Sequence, residues 1–319
     1  MKPLAFDAVI FDIDNVLIDT RRSYLDAIRW TVEIYLTSGT VPLFTHTRKS
    51  RRPQFLSPRD VHPFKLLGGF NDDWDCCYGI LVYLLNLSVR SRSLARLKEA
   101  MNIEGFVNKT KTRPLGVRGI VKMLGRPGAV TIEKIGRIFQ EVYLGTDLFP
   151  LVERKEPEYW TRRGLIHREK LIFRRSTLRK LTRLGVNLGI ATGRPRYEAL
   201  YALKRFGVLG YFDALTTIDD VKKAEHELKQ SLRKPHPYSV LETAKKIGRD
   251  RRFLYLGDLP DDILAARSAK SEIDISSVAF PWMAADLRHT LLEVEKAQPD
   301  FILEKPVELL KLVLGKRLR

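Results

Sequence analysis

Cysteine and methionine are scarce in this chain, and no apolar run is long enough to cross a membrane. Of its 319 residues only four are methionine and two are cysteine, and these cysteines, Cys76 and Cys77, are adjacent. Since neighbouring cysteines rarely bridge each other, we expect no disulfide framework and a reducing, cytoplasmic compartment. The longest strongly apolar stretch, residues 79–89, is too short to span a bilayer, and the N-terminus does not have the pattern of a signal peptide. We therefore expect no membrane partner.

Acidic residues are also fewer than basic residues, and the excess of basic residues is concentrated in one part of the chain. Lysine and arginine number 56 against 38 acidic residues, a formal net charge of +18. Residues 15–185 hold 32 basic and 16 acidic residues, whereas the remainder is nearly neutral. This composition suits an anionic partner, either a phosphorylated metabolite or a nucleic acid, and is equally typical of a solvated surface in a heat-adapted protein. The basic segment 46–59 fits an extended loop or, alternatively, a phosphate-binding surface.

The spacing of apolar residues, 44% of the chain, differs between two parts of the sequence. After residue 171, β-like runs alternate with helical runs, which is the signature of a parallel sheet with helices on both faces. The predicted strands are 5–11, 186–192, 211–218, 252–258, 275–280 and a short one after residue 300. Residues 20–170 have mostly helical spacing. We therefore predict an α/β fold: a Rossmann-like doubly wound parallel sheet (1–19 with 171–319) and a mostly helical domain (20–170) inserted after the first strand.

Carboxylates follow two of the predicted strands at the point where each strand ends. Asp12 and Asp14 follow the first strand, and Asp258 ends the strand 252–258, with Asp261 and Asp262 just beyond. In an open parallel sheet the ligand lies beyond the carboxyl ends of the strands, so these acids are expected to share one edge. Like charges at one edge repel each other unless a cation lies among them, and oxygen ligands of this kind suit Mg²⁺.

Two further segments fit an anion at the same edge. The strand 186–192 leads into Thr192, Gly193 and Arg194, and Pro195 then opens a helix. A hydroxyl and free backbone N–H groups at a helix N-terminus form an anion site. Lys234, in the loop sequence RKPHP, offers a point charge for a phosphoryl oxygen.

In content and order these four segments resemble the motifs of the haloacid dehalogenase-like hydrolase superfamily. Its motifs are DxDx[TV] at the first strand, Thr or Ser at the end of the second, Lys after the third and GDxxxD at the fourth. Here they are DIDNV, ATG, RKPHP and GDLPDD. The resemblance covers about 1–19 and 171–319, and is to the phosphatases of subfamily I, similar to phosphoglycolate phosphatase, with a helical cap between the first two motifs.

The resemblance implies a role for each matching residue. Asp12 would be the nucleophile that forms an aspartyl-phosphate, and Asp14 the general acid and base. Lys234 would neutralise charge on the transferred group and on Asp12. The residues implied in binding the phosphoryl group are Thr192, Gly193, Arg194 and Lys234, of which Thr192 and Lys234 also count as catalytic.

The same resemblance implies a Mg²⁺ site. Asp12 and Asp258 would bind the metal with their carboxylates, and Asp14 would contact it with its backbone carbonyl. Asp262 would bind the metal through its waters or, alternatively, orient the lysine; Asp261 is the weaker candidate. The side chain of Asp14 favours phosphate over carbon–halogen substrates, because the dehalogenase branch does not keep that acid.

Two residues of the first motif depart from the commonest pattern. Asn15 stands where glycine is frequent, and asparagine tolerates unusual backbone angles. Val16 stands where threonine is frequent and is allowed by the motif. Neither departure removes a group that the chemistry needs.

Within the predicted insertion, residues 66–85 contain two adjacent glycines, an acidic cluster and a tryptophan, which precede an apolar helix. This stretch resembles the cap of a subgroup of the same superfamily that carries GGFNxDWD. In that interpretation Gly68, Gly69, Asn71, Asp72 and Trp74 select the substrate. The alternative is a helix N-terminus, with Asn71 or Asp72 as its cap and Trp74 in the core.

We expect a Mg²⁺-dependent phosphatase that hydrolyses a small phosphorylated metabolite such as a sugar phosphate or phosphoglycolate. A phosphomutase, which returns the phosphoryl group to another hydroxyl, is the first alternative. A phosphatase or binding protein that uses the basic insertion to hold a nucleic acid is the second and is less favoured, because no RRM, KH or zinc-finger pattern is present. The sequence leaves the oligomeric state open.

Overall fold

A computed structural model describes residues 4–38, 43–45, 52–66, 70, 72–110, 116–125, 128, 130–284 and 287–316. The chain divides into two compact units. The core unit combines Met1–Asp19 with Lys170–Arg319, and the inserted unit is Thr20–Glu169. None of the helices formed by the described residues has the length and apolar content to cross a membrane.

A parallel sheet organises the core unit. The strands are β1 Ala8–Phe11, β2 Ile18–Asp19, β3 Lys170–Leu171, β4 Asn187–Ala191, β5 Ala214–Thr216, β6 Phe253–Gly257, β7 Ile275–Ala279 and β8 Phe301–Ile302. Six of them form one sheet in the order β5-β4-β1-β6-β7-β8, and every neighbouring pair is parallel. The short β2 and β3 pair antiparallel where the chain leaves and re-enters the core unit. The predicted parallel α/β sheet is therefore confirmed.

Helices cover the sheet on both faces. Those of the core unit are α8 Arg175–Arg183, α9 Arg196–Arg205, α10 Ile218–Leu228, α11 Tyr238–Ile247, α12 Pro260–Ala269, α13 Leu287–Lys296 and α14 Glu308–Val313. Alternate residues of β1 enter different apolar clusters: Val9 and Phe11 pack with residues of α8 and α9, whereas Ala8 and Ile10 pack with residues of α11 and α12. Side chains of a strand point to opposite faces in turn, so both faces are buried, as a doubly wound fold requires.

The inserted unit is helical. Its helices are α1 Tyr24–Thr37, α2 Pro58–Leu66, α3 Asp73–Leu85, α4 Leu94–Ala100, α5 Ile103–Thr110, α6 Gly116–Leu124 and α7 Ile132–Glu153. Helix α2 begins inside the segment 46–59, predicted as an extended loop, of which 46–51 lie outside the described residues. Helix α7 is interrupted at Gly145, whose φ of 74° lies in the region that favours glycine.

A buried carboxylate on α7 binds the loop that follows this helix. Glu141 of α7 is buried, and its side chain accepts hydrogen bonds from the backbone N–H groups of Glu158, Tyr159 and Trp160 at 2.5–3.1 Å. Arg137 pairs with the second oxygen of the same carboxylate at 2.5 Å. A buried charge with this many donors fixes the loop after α7.

We expect Glu141→Gln to lower the free energy of unfolding by about 1–3 kcal/mol, because the amide replaces a charged acceptor of buried N–H groups. Glu153→Gln, an exposed position on the same helix, is the matched control and should change little. Chemical denaturation measures both, and equal stabilities would contradict the structural role of Glu141.

The turn after β1 depends on a left-handed backbone at Asn15. Its φ is 57°, which confirms the prediction that asparagine serves an unusual conformation here. The N–H of Asn15 donates to the carbonyl of Ile18 at 2.8 Å, and the N–H groups of Leu17 and Ile18 both donate to the carbonyl of Ile13. The chain thus folds back tightly around Asp14.

We expect Asn15→Val to destabilise the protein by about 1–2 kcal/mol, since a β-branched residue resists the left-handed region. Asn15→Gly, which adopts it freely, should lose less. Thermal unfolding monitored by circular dichroism compares the two, and a valine variant more stable than the glycine variant would show that the turn does not hold this backbone.

Candidate active site

Polar residues from three adjacent strands meet at the carboxyl edge of the sheet. Asp12 follows β1, Thr192 follows β4 and Asp258 follows β6, and these strands are neighbours in the order β4-β1-β6. The N–H of Asp12 donates to the carbonyl of Leu256 at 2.9 Å, and that of Thr192 donates to the carbonyl of Thr216 at 3.0 Å. Both residues therefore continue the hydrogen-bonding of the sheet, which fixes their backbone positions.

Lys234, from the loop before α11, places its ammonium group among these residues. The Nζ atom lies 2.8 Å from Oδ1 of Asp262, 3.3 Å from Oδ1 of Asp12 and 3.2 Å from the carbonyl oxygen of Ala191. It also lies 5.3 Å from the centre of the Tyr255 ring. One buried cation is thus shared between two carboxylates that come from different ends of the chain.

Three carboxylates at this edge are close enough to hold a metal ion. Asp12, Asp258 and Asp262 each offer an oxygen, and these oxygens all lie within 4.8 Å of one another. The buried Oδ1 of Asp12 has no hydrogen-bond partner among the described residues, and its contact with Lys234 is an ion pair without hydrogen-bond geometry. An orphaned carboxylate oxygen within a set of hard oxygen donors fits a divalent cation such as Mg²⁺.

Burial and the neighbouring charges also shift the pKa values of the residues in this cluster. Burial raises the pKa of Asp12 to about 7, and the charges of Asp262 and Asp14 add to the rise while Lys234 opposes it. Burial and the carboxylates of Asp262, Asp12 and Asp14 raise the pKa of Asp258 well above its ordinary value. Burial opposes the charge on Lys234, but Asp12 and Asp262 outweigh it and hold the lysine pKa well above its usual range. One lysine does not balance Asp12, Asp258 and Asp262, so a further cation is favoured.

The side chain of Asp14 is held by Arg194 from the loop after β4. The Nε and Nη2 atoms of Arg194 lie 2.7 and 2.6 Å from the same oxygen of Asp14. The arginine side chain is fully buried, whereas that of Asp14 is 30% exposed. Arg194 is predicted to bind phosphate; its guanidinium is instead directed at Asp14.

Thr192 and Gly193, in the same loop, each present a hydrogen-bond donor. The hydroxyl oxygen of Thr192 accepts the N–H of Arg194 at 3.2 Å, which leaves the hydroxyl proton to be donated elsewhere. Gly193 is exposed, and its N–H has no partner among the described residues. Both features suit the predicted phosphoryl site, and their roles stay predictions.

Asp262 is the most constrained acid of the cluster. Its Oδ1 accepts the Tyr255 hydroxyl at 2.9 Å besides Lys234, and its Oδ2 accepts the N–H of Leu259 at 3.1 Å. This arrangement favours the prediction that Asp262 orients the lysine over the one that it contacts the waters of a metal. Asp261 lies in the first turn of α12 outside the group of three carboxylates.

Tyr255 is a member of the site that sequence reasoning missed. It lies within the buried strand β6, its hydroxyl donates to Asp262, and Nζ of Lys234 lies over its ring. Burial and the charge of Asp262 raise the pKa of Tyr255 well above its ordinary value, so the hydroxyl remains a donor. The available signal was a single hydroxyl-bearing residue in an otherwise apolar strand that ends at the Asp258 motif.

The predicted substrate residues of the inserted unit lie at the start of α3. Asp72 caps this helix, with its side chain accepting the N–H of Trp74 at 2.8 Å, which confirms the capping alternative for Asp72. The half-buried Trp74 ring packs beside Gly136 of α7. Gly68, Gly69 and Asn71 lie outside the described residues. Substrate selection by this stretch stays a prediction.

A close approach of β6 to α12 sets the position of Asp262. A Cβ atom at Gly257 would lie 2.1 Å from the Cβ of Asp262, so that any larger residue must displace the acid. We expect Gly257→Ala to lower activity by about 10- to 100-fold, the range seen when groups that orient a site are disturbed. Gly210→Ala is the matched control, since a Cβ there meets nothing within 4 Å. Equal activities of the two variants would contradict this constraint.

Comparison with known proteins gives a consistent family assignment. The model of the haloacid dehalogenase-like hydrolase family matches residues 6–270. The "Putative pyrophosphatase PpaX" of Caldanaerobacter subterraneus subsp. tengcongensis is 30% identical over 202 residues, 63% of this chain and 80% of that protein. The "Phosphoglycolate phosphatase" of Agrobacterium fabrum is 29% identical over 129 residues, 40% of this chain and 48% of that protein.

The structural comparison supports the fold. A solved structure, "Phosphatase Tt82 from Thermococcus thioreducens", superposes with a TM-score of 0.61 at 23% identity and covers 90% of this chain and 98% of that one. A predicted phosphoglycolate phosphatase from Haemophilus somnus 129pt has a TM-score of 0.52 at 16% identity, with coverage of 96% and 97%. At these identities the likeness extends to the architecture and not to a substrate.

Proposed function

The chain belongs to the haloacid dehalogenase-like hydrolase family, and from that premise we propose that it is a metal-dependent phosphatase that acts through an aspartyl-phosphate on Asp12. The observation that carries the proposal is the sharing of Lys234 between Asp12 and Asp262, beside Asp258 at one sheet edge. This arrangement concentrates oxygen donors and positive charge at the place where a ligand of an open parallel sheet binds.

Asp12 is suited to attack phosphorus. Its Oδ1 is free of hydrogen bonds to the described residues, so a lone pair is available, and the backbone of the residue is fixed by the sheet. The carboxylate oxygen forms a bond to phosphorus as the bond to the leaving oxygen breaks. Lys234, 3.3 Å away, stabilises the negative charge that collects around the transferred group.

Asp14 and the loop after β4 have separate roles in the transfer: the acid moves protons, and the loop binds the phosphoryl oxygens. The partly exposed carboxyl group of Asp14 is placed to give a proton to the departing oxygen and then to take one from the attacking water. The Thr192 hydroxyl and the Gly193 N–H donate to the phosphoryl oxygens. Hydrolysis then returns Asp12 to its starting state and releases phosphate.

Asp12 and Asp258 would hold the divalent metal, together with the backbone carbonyl of Asp14. When bound, Mg²⁺ supplies positive charge that permits an anionic phosphate to approach a carboxylate. Asp262 contributes by fixing the ammonium of Lys234, since both of its oxygens already accept hydrogen bonds.

The proposed substrate is a small phosphate ester, and pyrophosphate is the second candidate. The Agrobacterium relative is named a phosphoglycolate phosphatase, and phosphoglycolate is a small phosphate ester. The Caldanaerobacter relative, of which the chain covers 80%, is named a putative pyrophosphatase, which favours pyrophosphate. The phosphomutase and the nucleic-acid phosphatase remain alternatives, as does substrate selection by Asp72 and Trp74. A mutase would need a bisphosphate activator and would release little inorganic phosphate.

Phosphate release from a panel of sugar phosphates, phosphoglycolate, pyrophosphate and a 5′-phosphorylated oligonucleotide tests the proposal. With Mg²⁺ the wild type should release phosphate from at least one compound, and removal of the metal with EDTA should abolish release. Asp12→Asn should lower kcat/KM by about 10⁴-fold or more, in keeping with the loss of a nucleophile. Asp258→Asn should raise the Mg²⁺ concentration needed for half-maximal activity.

Asp250→Asn is the matched control, because Asp250 is exposed at the opposite, amino-terminal end of β6. It should retain wild-type activity. Full metal-dependent activity in Asp12→Asn would refute the assigned nucleophile, and release of phosphate by wild type in EDTA would refute the metal.

A further inference from the structure

Arg194 is the largest fully buried side chain in the described part of the chain, and its position is unusual for a residue expected to meet substrate. Both its Nε and its Nη2 lie within 2.7 Å of one oxygen of Asp14. A guanidinium removed from water is strongly disfavoured unless it is paired and hydrogen-bonded. The pairing with Asp14, the acid assigned to proton transfer, offsets part of that penalty.

The backbone of Arg194 is fixed on both sides. Its N–H donates to the Thr192 hydroxyl oxygen at 3.2 Å, and its carbonyl accepts the N–H of Ile218 at 3.2 Å. The arginine therefore cannot shift without moving the residue that holds the phosphoryl group. The sheet fixes the backbone of Thr192, and the side chain of Arg194 places the Asp14 carboxyl group relative to it.

The exposure of the pair indicates its orientation. The Arg194 side chain is inaccessible to solvent, whereas 30% of Asp14 is accessible. A ligand reaching this edge meets Asp14 first, with the guanidinium behind it. A fork of fixed N–H donors on a carboxylate restricts the rotamers of the acid, which a flexible lysine would do less well.

We propose that Arg194 is a positioning residue, which holds the Asp14 carboxyl group in register with Thr192 and does not bind the substrate phosphate. This inference rests on the proposed function, since it assigns Arg194 a part in proton transfer by Asp14. Because Arg194 acts on the reaction through the Asp14 carboxyl group, its effect on turnover must vanish when Asp14 no longer transfers a proton.

A double-mutant cycle tests this dependence. Arg194→Met, Asp14→Asn and the double variant are compared with wild type for kcat and KM on the best phosphate ester with saturating Mg²⁺. Arg194→Met should lower kcat by about 10- to 100-fold with KM little changed. In the Asp14→Asn background the same substitution should cause no further loss. Arg194→Lys should recover part of the activity, because it restores the charge without the fork.

Arg196→Met is the matched control, two residues along and exposed, where the arginine pairs with Asp220 at 3.4 Å. It should keep wild-type kinetics. Circular dichroism and thermal unfolding check the fold of every variant, and if Arg194→Met is unfolded at the assay temperature, the cycle is run with Arg194→Lys.

The outcomes separate the possibilities. Independent losses that multiply in the double variant would overturn the positioning role, and a rise in KM with kcat unchanged would show that Arg194 binds substrate. An inactive wild type overturns the proposed function and this inference together, whereas an active wild type with multiplicative losses overturns this inference alone.

Discussion

The ammonium group of Lys234, held 2.8 Å from Asp262 and 3.3 Å from Asp12, is the interaction on which the site depends. Carboxylates buried at one edge repel each other, and each is costly to keep charged. The lysine offsets part of that repulsion, and the Tyr255 hydroxyl donates to the same oxygen of Asp262 that the lysine contacts. What remains is an excess of negative charge that a divalent metal would balance, beside one Asp12 oxygen without a hydrogen bond.

The topology explains how residues far apart in the chain reach this edge. The strands β4, β1 and β6 are neighbours and parallel, so that their carboxyl ends, with Thr192, Asp12 and Asp258, lie side by side. The inserted unit begins directly after β2 and ends directly before β3, and the pairing of these two strands keeps the two ends of the inserted chain together. An insertion of 150 residues, Thr20–Glu169, therefore lies between the first motif and the second with the order of the sheet undisturbed.

Periodicity and strand-end acids predicted much of this arrangement, because strands buried on both faces are apolar until they end. The strands around 186–192 and 252–258 were predicted within one or two residues, and Asp12, Asp258 and Asp262 do meet. The direction of the Arg194 side chain was not predictable, since a loop arginine points outward or inward according to packing. Helix α2 was not predictable from spacing, because Pro63 lies inside it and a proline normally ends a helix.

The central claim is that Asp12 carries the phosphoryl group, and chemical trapping tests it most directly. The wild type is mixed with its best phosphate ester and Mg²⁺, quenched in acid and reduced with borohydride, which converts an acyl phosphate to an alcohol. Peptide mass spectrometry should then find homoserine at position 12, only when substrate was added. Steady turnover with unmodified Asp12, or with the reduced residue at Asp14 or Asp258, would contradict the account.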